Sequence, residues 1–308
     1  SIMPLKKLTL KAGINKEITR YSAENGWYDC DKIRFRQQFP EKIGGWQRIS
    51  QNSFQGVCRS LWAWLTLSNQ KLVAVGTNLK FYLELGGTYY DITPLRASTT
   101  NSTTFAATNG STTLTVTDSS HGAKIDDFVT FSSAVSLGGA ITATVLNIEY
   151  QIVTVPSANT YTVTASVAAN ASDSGNGGSA TDSAYQISPG PAVPVPLGGW
   201  GAGAWSDGTW GNGGTSTVSL RTWSQSNFGQ DLIFGPKQGP IYYWTADDTV
   251  ATRGVLLSSL SGASDVPTVQ NLILISDINR FVFCFGANTI GTSTQDPMLI
   301  RWSDQEDA

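Results

Sequence analysis

One histidine, two methionines and three cysteines are all that the 308 residues hold, and each scarcity removes a class of chemistry. His121 stands alone in DSSHGAKIDDF, which excludes HExxH helices and multi-histidine zinc sites; read as a turn residue, it also leaves no Ser-His-Asp triad in its usual form. In that polar stretch it reads as a turn residue, not a general base. Cys30, Cys58 and Cys284 are widely spaced, odd in number and never in a CxxC pair, which argues against a disulfide scaffold or a cysteine zinc site. The P-loop spelling GxxxxGK followed by Ser or Thr does not occur. No apolar run approaches the roughly 18 residues of a membrane-spanning helix. The opening SIMPLKKLTL has no signal-peptide apolar core, so the expectation is a chain folded in a reducing cytoplasm.

Charge is scarce as well, at 14% of residues against about 25% in an ordinary soluble domain, so much of the surface must be Ser, Thr, Asn and Gly. The net charge of −3 is unevenly spread. Residues 1–97 hold 14 Lys and Arg against 7 Asp and Glu, residues 98–186 one against 6, and residues 187–308 5 against 10. The basic character is confined to the N-terminal third, where it could face an acidic protein neighbour or DNA phosphate. In IRFR, the period of two sends Arg34 and Arg36 to one face and Ile33 and Phe35 to the other. A channel that lets DNA slide is poorly served by tight phosphate clamps, which favours a subunit interface for the arginine face.

Strand signals run along nearly the whole chain. The segments 58–67, 71–85, 112–118, 150–157, 160–167, 230–244 and 279–286 are rich in β-branched and aromatic residues and punctuated by Gly, Asn or Pro. Long amphipathic helices are missing; LRTWSQSNF (220–228) and DVPTVQNLILISD (265–277) are short, and the second contains Pro267.

Residues 98–186 stand apart, with no Trp, Cys or Arg and with alternation in STTLTVTD, DFVTFSS, EYQIVTV and TYTVTAS. They read as an inserted antiparallel β-sandwich, entered through LRASTTNSTT and left through ASDSGNGGSATDS, both linker-like. With this block removed, a strand order repeats: residues 60–87, 220–248 and 271–307 each run strand, turn, apolar strand, turn, aromatic strand. The apolar strands begin near Leu72, Leu232 and Phe281, the last two 49 residues apart, and each copy carries an aromatic near its outer strand, Tyr82, Trp244 and Trp302. That spacing suits β-propeller blades, which bury their faces on neighbours. The expected fold is mainly β: an N-terminal docking segment with a first blade (1–97), the inserted sandwich (98–186), and a Gly/Trp-rich segment with further blades (187–308), the propeller being incomplete in this chain.

GGWGAGAWSDGTWGNGG (198–214) places Trp200, Trp205 and Trp210 five residues apart. Gly199 to Ala204 fits a relaxed GxGxxA spelling but lacks a preceding strand and a following helix. Ser206-Asp207-Gly208-Thr209-Trp210 is a compressed Asp-box-like turn, which keeps a sugar platform open as an alternative. Packing at an interface is the preferred reading, glycines allowing close approach and indoles burying area. Asp247–Asp248 and Asp304, Glu306 and Asp307 are read as solvated turn carboxylates. No catalytic residue, cofactor or metal site is expected, and the chain is read as not an enzyme.

The opening LKAGINKEITRYSAENGWYDCDKIRFRQQFPEKIGGWQRI resembles the N-terminus of tail nozzle or hub structural proteins of short-tailed, podovirus-like phages. The resemblance rests on Arg20, Tyr21, Gly26, Trp27, Tyr28, Asp29, Arg34, Phe35, Pro40, Gly44, Gly45 and Trp46, with the Gly/Trp segment and the RWSDQED stretch beyond it. It touches residues 1–97 and 187–308 and leaves the inserted block uncovered. Cys30 stands where a small residue such as Gly is expected, which puts the local turn in question. The resemblance implies a virion tail protein made in the host cytoplasm: a cyclic homo-oligomer, a hexamer, below the head-to-tail adaptor. Such a ring contacts tail fibre or tail tip proteins and encloses the DNA ejection channel with transient, non-specific DNA contact. The alternative is a carbohydrate-binding, receptor-recognising propeller. Residues expected at subunit interfaces or in packing are Trp27, Tyr28, Arg34, Arg36, Trp46, Trp200, Trp205, Trp210 and Trp302.

Overall fold

The computed structural model describes residues 10–45, 47–48, 50–170, 173, 176–190, 220–246 and 249–306. They fall into two compact units, Ser1–Gln51 and Asn52–Ala308. The boundary between the units lies at Gln51, inside the N-terminal region 1–97.

The first unit has one regular element, a hairpin of β1 (Ile33–Arg36) and β2 (Phe39–Lys42). Gln37 and Gln38 both take positive φ, 48° and 72°, the geometry a tight two-residue turn needs to match strand twist. A short parallel bridge joins Ile14 to Trp27. None of the described residues from 10 to 45 is buried.

The second unit is nearly all strand, as the alternation predicts. β3 (Cys58–Leu65), β4 (Lys71–Thr77), β5 (Phe81–Leu85) and β6 (Thr88–Asp91) form a four-stranded antiparallel meander. The predicted strand 71–85 is two strands, because Thr77 Oγ1 accepts from the N–H groups of Leu79 and Lys80 and closes a turn.

Seven strands follow before the meander pattern resumes: β7 (Leu95–Thr99), β8 (Thr104–Ala107), β9 (Thr113–Thr117), β10 (Phe128–Ser132), β11 (Glu149–Ser157), β12 (Thr160–Thr164) and β13 (Asp182–Gln186), with one helical turn α1 (Ala143–Leu146). They make a single sheet in the order β7-β13-β10-β11-β12-β9-β8. The fold line is β11, which pairs with β10 through its first residues and with β12 beyond them, and carries two register shifts. Bulges of this kind bend a strand sharply. The two halves therefore face each other: Tyr161 of β12 meets Tyr185 of β13 with hydroxyls 3.0 Å apart, and Phe105 of β8 packs 4.9 Å from Phe131 of β10. The sandwich is one bent sheet. The linker-like ends are partly strand: β7 and β13 pair with each other, their polar composition reflecting an exposed edge position for β7.

The chain returns to meanders with β14 (Trp223–Phe228), β15 (Asp231–Pro236), β16 (Tyr242–Trp244) and β17 (Val255–Leu256), then β18 (Leu272–Ile275), β19 (Val282–Phe285) and β20 (Ile300–Trp302). Leu72 and Leu232 sit on second strands and Phe281 immediately before one, while Tyr82, Trp244 and Trp302 all sit on third strands. The meanders stack face to face. Leu232 and Phe234 of β15 join the core against the first sheet, with Phe81 stacked 4.2 Å from Phe234. Ile233, between them in sequence, joins Ile273, Ile275, Val282 and Cys284 of the third sheet. Alternation along one strand thus buries both faces of the middle sheet. Polar bolts hold the stack: Trp223 Nε1 donates to Thr77 O at 2.6 Å, Trp64 Nε1 to Gln230 O at 2.8 Å, and Ser224 Oγ bridges the Ile273 N–H and C=O at 2.7 and 3.0 Å.

Gly76 lies in the contact between the first two sheets. A Cβ there would sit 2.4 Å from Ser60 Oγ and 2.6 Å from the Trp223 ring. Gly76→Ala should cost about 1–3 kcal/mol, read as a lowered midpoint in urea unfolding with unchanged far-UV circular dichroism. Cys284 is buried between the second and third sheets, and burial pushes its thiol up to about 12. Native protein should therefore show Cys284 unreactive to a thiol reagent at pH 8 while exposed Cys58 is modified, with Cys284 reacting only on unfolding.

Candidate functional site

The distinctive side chains of the N-terminal unit are exposed or half-buried. Arg34 and Arg36 occupy the exposed face of β1 and Ile33 and Phe35 the other; Arg34 pairs with Glu41 across the hairpin at 3.3 Å. Half-buried Trp27 packs 6.2 Å from Phe35, and its indole Nε1 has no hydrogen-bond partner among the described residues. Arg20 lies 5.7 Å over the Tyr28 ring. Lys16, hydrogen-bonded to Asp29, holds that carboxyl below its ordinary 3.8. Leu10, Ile14, Tyr21, Phe39 and Ile43 are all exposed. None of the described residues from 10 to 45 is buried, so these apolar and basic side chains form an exposed to half-buried strip.

The ends of the three-sheet stack are apolar too. On the third sheet, cross-strand pairing puts Leu272, Phe285 and Ile300 in one row and Leu274, Phe283 and Trp302 in the next, all on the face turned away from the second sheet. Trp302 is 66% exposed there, and Leu272 and Leu274 about half. The first sheet ends in Leu61, Ala63 and Leu65 of β3, while Phe54 covers its outer strands by packing on Tyr82 and Tyr89.

Two polar features lie elsewhere in the second unit. At one rim of the stack a cleft of about 620 Å³ is lined by Thr66, Asn227, Gln230, Asp231, Asp277 and Arg280 among others, from turns of all three sheets. Asp231 already accepts from the Tyr243 hydroxyl and the Ala246 N–H, and Arg280 pairs with Glu306 at 3.6 Å. The second is a charge cluster where the inserted sheet meets the stack, with Lys80 buried and Asp91, Glu149 and Arg253 half-buried around it. Lys80, in the β4–β5 turn, reaches Asp91 at 2.8 Å, contacts Glu149 of β11 and lies 4.5 Å over the Phe128 ring. Gln186 of β13 donates to Glu149, and Arg253 bonds Thr93 O at 2.7 Å and Asp91 at 3.4 Å. Burial alone would raise the Asp91 carboxyl, but the Lys80 and Arg253 charges with hydrogen bonds from Lys80 and Thr93 outweigh it, leaving it below 3.8. Both carboxylates are saturated by cations, so the cluster is a clamp.

Inside the inserted sheet, Asp118 is buried with no ion pair among the described residues and accepts from Tyr185, Thr99 and Ser102 at 2.6, 2.7 and 2.9 Å. Burial pushes the Tyr161 and Tyr185 phenols well above 10. His121 is a buried turn residue; its Nδ1 accepts from the Ala123 N–H and its ring packs on Tyr161. Among the described residues no group of three or more His, Cys, Asp or Glu could hold a metal ion, and no helix is long and apolar enough to cross a membrane.

Trp46, Trp200, Trp205, Trp210, Asp247, Asp248 and Asp307 lie outside the described residues. Trp27 and Tyr28 share one unit with Arg34 and Arg36, whereas Trp302 belongs to the other. Sequence reasoning missed the clamp, since Lys80 and Glu149 are 69 positions apart and carry no local pattern. The apolar end face had a signal in the unbroken run Leu272-Ile273-Leu274-Ile275, which marks a strand apolar on both faces.

No protein-family model matches the chain, and no curated protein matches it. Among solved structures, a phage phi92 endosialidase is similar at 15% identity and a TM-score of 0.23, over 80% of this chain and 37% of the endosialidase chain. This chain therefore spans well under two thirds of the structure it matches.

Proposed function

We propose that the chain is a structural component of a phage tail, a ring-forming nozzle or hub protein joining the head-to-tail adaptor to the distal tail around the DNA path. The observation that carries this reading is the N-terminal unit: the residues that carry the phage-tail resemblance, among them Trp27, Tyr28 and Arg34, sit in a segment with no buried residue among those described from 10 to 45. Apolar and basic side chains without a core of their own are stabilised by burial on another protein. The stacked sheets with apolar ends add a body suited to cyclic self-association. The copy number implied by the resemblance is six, and DNA contact is transient and non-specific.

Complementation tests this reading. Particles made without the chain should regain infectivity when the full chain is supplied, whereas a Trp27→Ala, Arg36→Glu variant should fold but fail to be incorporated. Full incorporation of that variant contradicts the docking role. A second reading, receptor glycan binding, is favoured by the rim cleft with Asn227, Gln230 and Asp277 on its walls. It predicts saturable glycan binding that Asn227→Ala weakens.

A further inference from the structure

We propose that the outer face of the third sheet in one copy packs on the outer face of the first sheet in a second copy, continuing the face-to-face stack across a subunit boundary. This rests on the assembly reading and deepens it by naming the faces.

The first ground is continuity with interfaces already present. The chain buries a meander face against the next meander twice, through cores centred on Phe81, Phe234 and Trp223 and on Ile233, Ile273 and Cys284. The third sheet repeats this chemistry on its far side, in the rows Leu272, Phe285, Ile300 and Leu274, Phe283, Trp302. Monomeric surfaces scatter their large apolar residues singly; six aligned on one sheet face mark a contact.

The second ground is the match of the opposite end. The open part of the first sheet is its inner half, where Leu61 and Leu65 are 64% and 55% exposed with Ala63 between them. Phe54 already occupies the outer half, so the face accepts a sheet placed toward the inner strands. In the chain itself the inner strands make the contacts between sheets, β14 meeting both β3 and β18.

The third ground is charge. Lys71 stands opposite Leu65 on that outer face, at the turn that lines the rim cleft, and Asp277 lies in the third-sheet turn on the same rim. Extending the stack brings Lys71 of one copy toward Asp277 of the next. The two faces differ, so the contact is heterologous and generates a ring if the rotation closes.

Sedimentation velocity of the full chain, from about 1 to about 100 µM so that even an interface at the weak, micromolar end of the ordinary range is populated, is the test. Wild-type chain should self-associate beyond a dimer. Leu61→Glu and Leu274→Glu, both at exposed positions and checked for unchanged circular dichroism and thermal midpoint, should each be monomeric alone. Mixed in equal amounts they should form dimers and nothing larger, because one intact pair of faces survives. Lys71→Glu should weaken association about threefold, and Lys71→Glu with Asp277→Lys should restore it. A wild-type chain that stays monomeric overturns the inference, and so does a mixture that forms no dimer. Association that neither variant disturbs overturns it too, while leaving the assembly reading to be judged by complementation.

Discussion

Lys80→Met should destabilise the protein by about 3 kcal/mol, the low end of the cost of breaking a buried ion pair by removing one partner, because Asp91 and Glu149 remain about a quarter exposed. The Lys80 side chain is 3% exposed and stands between Asp91 and Glu149, so its loss leaves two carboxylates facing each other with Arg253 alone to compensate. Equilibrium urea unfolding reads the loss. Hydrogen exchange should accelerate first in β7 and β13, the strands through which the inserted sheet joins the stack. The same clamp predicts acid sensitivity of definite sign. Asp91 has a folded pKa below 3.8, so its contribution is full above that value and is lost as pH falls through the lower, folded one. Asp91→Asn should flatten the stability profile in that window. A Lys80→Met protein as stable as wild type would show that the clamp contributes nothing.

Trp223→Ala should cost about 3–5 kcal/mol, the range for deleting a large aromatic from a core. The indole packs 4.8 Å from Phe81 and 6.2 Å from Phe234, and its Nε1 donates to Thr77 O. It both fills the interface of the first two sheets and satisfies a carbonyl within it. The denaturant midpoint should fall sharply, and a second transition should emerge if the first sheet separates from the others. Trp302→Ala, two-thirds exposed on the outer face, should change the dilute chain's stability by no more than about 0.5 kcal/mol. The contrast between two tryptophans distinguishes an internal sheet interface from an open one.

Much of the second unit was legible because strand period is a local property. Thr113 to Thr117 and Thr160 to Thr164 alternate cleanly, and Leu72 and Leu232 recur on the same strand of successive meanders. What stayed hidden depends on distant residues. Lys80 reads as a solvated turn lysine until Glu149 and Arg253 arrive from elsewhere in the chain. The bend at β11 follows from pairing on two sides, which Gln151 and Ile152 do not announce. Of the expected interface residues, Trp27, Tyr28, Arg34, Arg36 and Trp302 lie among the described residues, yet composition could not show that Trp27 sits where none of the described residues from 10 to 45 is buried. Aromatic residues read as core wherever they occur, and only the three-dimensional surroundings separate Trp223 from Trp27.

Averaged low-dose electron micrographs of intact particles, with the inserted sheet tagged for identification, test the central claim most directly. The account predicts rings of cyclic symmetry on the tail axis, containing the tag, with copy number read from the symmetry. A tagged chain found as a peripheral monomer away from the axis would contradict it, and the receptor-glycan reading would then take its place.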